Sequence, residues 1–200
     1  MTATPPLSDS LETWLEGDGD KTVSGLLDVF GEKSFAVLFV ILLGVPALPL
    51  PTGGATHVFE VIAALLALQL ILGRAHVWLP RRWKSLQLAG DRQRRFLTGL
   101  LRLIRFFERH SRPRLARLLH LRVSDVVFGA LVIAGSAAAF LAPPFTGLDT
   151  LPSLGVVVLS LGFLLEDMAV VIAGIAVGVL GIVLAIGVGT AAVHGIKALL

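Results

Sequence analysis

An imidazole and an acid three residues apart, His57 and Glu60, open a long apolar stretch just past a Pro-Thr-Gly-Gly break. At that spacing two side chains share a helical face and can share a proton. No other such pair lies inside an apolar span of this chain. The plainer role for Glu60 is an acid in the first turn of a helix capped by Thr56, where the dipole favours it. Other polar residues stand near the chain's breaks: Thr52 and Gly53 in the first, Thr146 and Gly147 in a second, and Glu166 and Asp167 between two later apolar runs. These join His57 and Glu60 as a candidate solute or proton site. Gln69 is the remaining member; it lies nine residues beyond Glu60, roughly opposite, and is expected to bond a neighbouring helix. Glu166 and Asp167 are a plain loop if they sit at the membrane surface, and costly and functional if buried at depth.

Other chemistries are poorly served. With no cysteine, disulfides, thiolate metal sites and a cysteine nucleophile are excluded. No Ser/His/Asp constellation, metal-spaced His/Asp cluster or phosphate loop appears, so an enzyme is the weakest class, and neither cofactor nor metal is expected.

The elements that must position these residues belong in a membrane. The 200 residues are 55% hydrophobic with a mean hydropathy of +0.85, well above the roughly 45–50% of a soluble domain. Val126 to Thr146 and Met168 to Val193 carry no charge, and each exceeds the roughly 20 residues a bilayer crossing needs. The expected fold is an all-α, polytopic integral membrane protein. Residues 1–33 carry seven acids against two lysines and lack the apolar run of a signal peptide. They read as an acidic arm, with short amphipathic helices around Leu11–Leu15 and Val23–Phe30.

Charge divides the rest. Fourteen of the seventeen Lys and Arg residues fall between Arg74 and Arg122, opposed there only by Asp91 and Glu108. Such a segment stays cytoplasmic and attracts anionic lipid, and the acidic arm is expected on the same side. Arg92, Arg95, Arg102, Arg105 and Arg109 follow one helical face, while Leu97, Leu100, Leu101, Ile104 and Phe107 follow the other. Together with Arg81 and Arg82, flanked by Trp78 and Trp83, they form the candidate lipid-headgroup surface. A second short helix is expected from Pro113. Whether this pair lies on the membrane or packs as a small cytosolic cap is left open by the pattern. Basic residues set between membrane spans and interleaved with Leu and Phe argue against nucleic acid as the partner.

Two apolar regions flank the basic one. Residues 34–73 read as helix (Ser34–Leu50), break (Pro49–Gly54) and helix (Ala55–Leu72). Residues 123–166 read as helix (Val123–Ala142), break (Pro143–Gly147) and helix (Leu151–Leu165). Thr52-Gly53 maps onto Thr146-Gly147 at an offset of 94, which reads as a weak internal repeat. Helices of 17 and 15 residues rise about 25 and 22 Å against a core of about 30 Å. Broken apolar segments in matching positions point to re-entrant half-helices with a solute site between the halves, and an ordinary turn between two spans at the membrane surface is an equal alternative. Residues 167–200 read as a final transmembrane helix. Its Gly174, Gly178 and Gly181 form a small-residue stripe for packing within the chain or, second, in a homodimer.

The run Leu42-Leu43-Gly44-Val45-Pro46-Ala47-Leu48-Pro49-Leu50-Pro51, then Gln69-Leu70-Ile71-Leu72-Gly73-Arg74 and Trp78-Leu79-Pro80, resembles the ExoD family of bacterial exopolysaccharide-synthesis membrane proteins. The likeness runs from about Ser24 onward. It implies an inner-membrane protein needed for exopolysaccharide production or envelope homeostasis and implies no reaction. Where that family continues with a longer Pro- and Gly-containing stretch, this chain has Thr52 to His57, so the resemblance assigns no role to His57 or Glu60. Two working classes remain. A transporter-like protein for protons, ions or a small solute fits the broken helices, and a scaffold for polysaccharide-synthesis proteins fits the basic segment and acidic arm.

Overall fold

Uninterrupted apolar runs coil into helices, and prolines and glycines decide where those helices stop. The computed structural model describes residues 6–17, 19, 21–48, 56–74, 76–88, 90–111, 119, 121–142 and 146–199, those at 92, 189 and 191–199 by backbone alone. Among them the structure is all-α, apart from one isolated bridge between Thr22 and Gln87. In chain order the elements are α1 (Leu7–Glu16), α2 (Val23–Phe30), a 3₁₀ turn (Gly31–Lys33), α3 (Ser34–Gly44) and α4 (His57–Ile71). After these come α5 (Arg81–Lys84), α6 (Asp91–His110), α7 (Arg122–Leu141), α8 (Thr150–Leu165) and α9 (Met168–Leu199). Among the described residues two stretches are long and apolar enough to cross a membrane, Arg122–Leu141 and Met168–Val188; α4 and α8 are shorter apolar helices.

The first apolar helix is shorter than its composition promised. It ends at Gly44 and gives way to turns over 45–47, because Pro46 has no N–H to continue the ladder and its ring crowds the preceding turn. The expected second short helix begins at Pro113, and Thr52 and Gly53 lie in the first break; these positions fall outside the described residues.

A helix that is apolar on every side must be covered on every side, and α3 obeys: Phe35, Val37, Phe39 and Leu43 are all buried. Phe39 meets Phe128 of α7 edge-on with centroids 5.5 Å apart, and Phe128 stacks on Phe163 of α8 at 4.0 Å. The glycine stripe is used inside the chain. Gly155 of α8 faces the backbone of Gly178, Gly174 faces Leu159, and Gly181 faces Leu151 and Pro152, so the backbones of α8 and α9 run nearly in contact. Small residues permit that approach.

The arm and the basic segment make a cap at one end. The apolar face of α6 is buried through Leu97, Leu100, Leu101 and Ile104, and Leu11 of α1 is buried with them. Opposite charges join the two helices: Arg105 pairs with Glu12, and the Ser8 amide donates to Glu108 Oε1 at 3.2 Å. The apolar stripe of α6 is therefore closed by protein. Arg81, Arg82, Arg95, Arg102 and Arg109 remain exposed, while Arg105 is half-buried in its pair; the Arg92 side chain lies outside the described residues. Lys33 pairs with Glu166 at 2.8 Å and Ser111 donates to Asp167 Oδ2 at 3.0 Å, tying the cap to the α8–α9 corner.

Candidate functional site

Helices α4 and α7 pack antiparallel. At one end the Arg122 guanidinium donates to the carbonyls of Leu70 (2.9 Å) and Ile71 (2.5 Å), the last of α4. In the middle Gly129 lies against Ala67 and Ile71. At the other end the His57 ring meets Phe140 with centroids 4.9 Å apart. Glu60 faces inward from this far end, in line with the buried Ala63, Ala67 and Leu70.

The Glu60 side chain is 0% exposed, and its Oε2 lies 2.7 Å from His57 Nδ1. The other oxygen, Oε1, is buried without a hydrogen-bond partner. His57 keeps 27% of its side chain exposed, so the imidazole links the buried acid to the surface. Asp149, preceding α8, is near enough to act on Glu60 electrostatically. Glu60 stands in the first turn of α4, where the helix dipole favours an acid, but it makes no capping bond there. The Glu60 carboxylate bonds no amide of its own helix; Thr56 makes no side-chain capping bond, and its carbonyl accepts from the Phe59 and Glu60 amides. A buried carboxylate with a single imidazole partner is costly unless it is neutralised. The arrangement can therefore take up a proton, share it with His57 and pass it outward.

The other sequence-derived residues are placed elsewhere, with one exception. Gln69 binds the backbone of Trp78, donating to its carbonyl (3.2 Å) and accepting from its amide (2.9 Å), and so ties down a loop instead of bonding a neighbouring helix. Its position past the middle of α4 brings it within reach of the chain returning after Gly73. Glu166 and Asp167 sit at the end of α8 remote from Asp149, about 24 Å away along a 16-residue helix. Glu166 takes a left-handed conformation (φ 57°) that ends α8, and Asp167 caps α9 by accepting from the Ala169 amide at 2.9 Å. They do not join Glu60. Thr146 and Gly147 are the exception, exposed in the turn that leads into Asp149 and α8; Gly147 has φ 68°, which a glycine adopts freely.

Sequence reading missed Asp149, whose approach to Glu60 is tertiary. It also missed Ser136 of α7 and Ser153 of α8. Both hydroxyls are buried without a partner, and with Glu60 Oε1 they are the only such side-chain atoms among the described residues.

Comparison with known proteins places residues 7–187 on the family model described as exopolysaccharide synthesis, ExoD. An uncharacterized protein of Synechocystis sp. is 30% identical over 155 residues, 78% of this chain and 72% of the relative. Protein ExoD of Rhizobium meliloti is 27% identical over 171 residues, 84% of this chain and 71% of the relative. No solved structure matches the chain.

Proposed function

The chain belongs to the ExoD family, and from that premise we propose that it is a multi-pass protein of the bacterial inner membrane that supports exopolysaccharide production through a proton-responsive site at Glu60 and His57. The single observation that carries the site is the Glu60 carboxylate, fully buried, bonded on one oxygen to His57 and on the other to nothing.

Three features support the membrane reading. Helices α7 and α9 meet the length and hydropathy of a crossing. The outer face of α4 is a continuous exposed stripe of Val58, Val61, Leu65, Leu68 and Leu72, which water would penalise and lipid tails would not. No Lys or Arg occurs in 34–73 or 123–167, and every one but Lys197 falls in the arm or in 74–122, as expected of segments on the cytoplasmic side. In this reading the helix–break–helix halves 34–73 and 123–166 are related units that meet on the far side from the cap, with His57 at their junction.

The site is non-catalytic and transporter-like: it binds and releases a proton, and its occupancy sets the state of the junction. A scaffold is the second reading, favoured by Arg95, Arg102 and Arg109 facing outward from a cap whose apolar side is already closed. Anionic lipid headgroups or acidic segments of polysaccharide-synthesis proteins are the partners such a face would attract.

The test is complementation of a strain lacking its own copy, with surface polysaccharide and growth followed across external pH. Glu60→Gln keeps the shape and removes the ionisation; it should abolish the pH-dependent response while leaving membrane abundance unchanged. A fully active, normally abundant Glu60→Gln protein would return the scaffold to first place.

A further inference from the structure

Among the described residues three buried oxygens lack a partner, and the helix contacts around them bring all three toward one level of the bundle. Ala67 and Gly129 meet across the antiparallel α4–α7 contact. Seven residues along each helix, about 10 Å at 1.5 Å per residue, bring Glu60 on one side and Ser136 on the other. Ser136 has Phe140 on its own face one turn on, and Phe140 touches His57. Gly135 lies against Val156 and the Pro152 carbonyl of α8, which sets Ser153 at the same height. Ser153 shares a face of α8 with Asp149, one turn earlier, and Asp149 is close enough to act on Glu60. The side of α8 that meets α9 is a different one, through Gly155, Leu159 and Gly162.

A serine inside an apolar helix ordinarily satisfies itself on the carbonyl four residues back, as Ser160 does on Val156 at 2.7 Å. Ser136 and Ser153 do not. Buried hydroxyls and a buried carboxylate oxygen left without partners are expensive, and the cost is removed together if one ligand satisfies all three.

We propose that Glu60 Oε1, Ser136 Oγ and Ser153 Oγ form an oxygen-lined site for a monovalent metal cation of sodium's kind. The donor set is one carboxylate and two neutral hydroxyls, hard oxygens that carry one negative charge, so one positive charge neutralises the donors. The charged or titratable groups that face these donors are few. From α4 there is His57; from the start of α8, Asp149; α3 carries no ionisable residue, and those of α7, Arg122 and Asp125, lie at the opposite end. The inference rests on the proposed role of Glu60 and gives its site a second ligand: proton and cation compete for one carboxylate.

The experiment uses the full chain in phosphatidylethanolamine–phosphatidylglycerol nanodiscs, with radioactive sodium binding measured at constant ionic strength in choline chloride. Saturable binding that weakens as pH falls is expected, reduced at least tenfold in Ser136→Ala/Ser153→Ala and absent in Glu60→Gln. No saturable sodium binding by the parent chain overturns the site and points to water as the occupant; full sodium binding by a folded double-serine variant overturns the assignment of the serines as ligands. The two readings fail separately. A cell phenotype for Glu60→Gln with no sodium binding refutes the cation site and leaves the proton reading. Serine-dependent sodium binding with no cell phenotype supports the site and refutes the reading of function.

Discussion

Replacing Gly155 by alanine tests the closest approach in the bundle. A Cβ at that position would fall on the backbone N and Cα of Gly178, with the Gly174 carbonyl 3.1 Å away. Backbone cannot swing aside as a flexible side chain can, and the opposite flank of α8 is already packed on α3 and α7. Helices α8 and α9 must separate or shift along one another. Overpacking of this kind costs about 1–3 kcal/mol, against about 1 kcal/mol of helix propensity that any Gly→Ala change returns. Gly187, further along α9, removes that second effect from the comparison, because a Cβ there meets nothing within 4 Å. Gly155→Ala should therefore be less stable than Gly187→Ala by about 1–3 kcal/mol, or roughly five- to 150-fold in the unfolding equilibrium. Reversible unfolding in mixed micelles, followed by circular dichroism, measures the difference. Equal stability of the two variants would refute the contact.

Further outcomes follow from the same contacts. Arg122→Ala removes the donors to the Leu70 and Ile71 carbonyls and should cost about 1 kcal/mol, with faster amide exchange over Leu70–Gly73; Arg122→Lys, a point charge without the fork, should restore only part. Because the chain has no cysteine, Ser10→Cys and Ser85→Cys report cleanly on sidedness. Both should resist an impermeant thiol reagent added to intact cells and react after permeabilisation; labelling of either from outside would reverse the orientation.

Much of the helical layout was legible because apolar runs and Pro/Gly breaks are local signals. Glu60 and His57 were legible for the same reason, since i and i+3 share a face wherever the helix goes. What was not legible is tertiary. The acidic arm and the basic helix are each plain in the sequence, but their union through Glu12–Arg105 joins positions 93 residues apart. Glu166 and Asp167 share with Glu60 the character of acids in an apolar context, yet their distance from it is set by the length of α8. Ser136 and Ser153 carry no sequence signal, because a serine in an apolar helix usually bonds its own backbone; only their shared level with Glu60 sets them apart. Pro46 was a readable stop that the apolar run around it obscured.

The central claim is that Glu60 is a buried acid that exchanges protons in concert with His57, and infrared difference spectroscopy of the full chain in liposomes tests it most directly. A pH step should produce a carboxyl C=O band that is lost in Glu60→Gln and whose midpoint moves in His57→Asn. A Glu60 band that ignores pH, or one whose midpoint is the same with and without the imidazole, would contradict it.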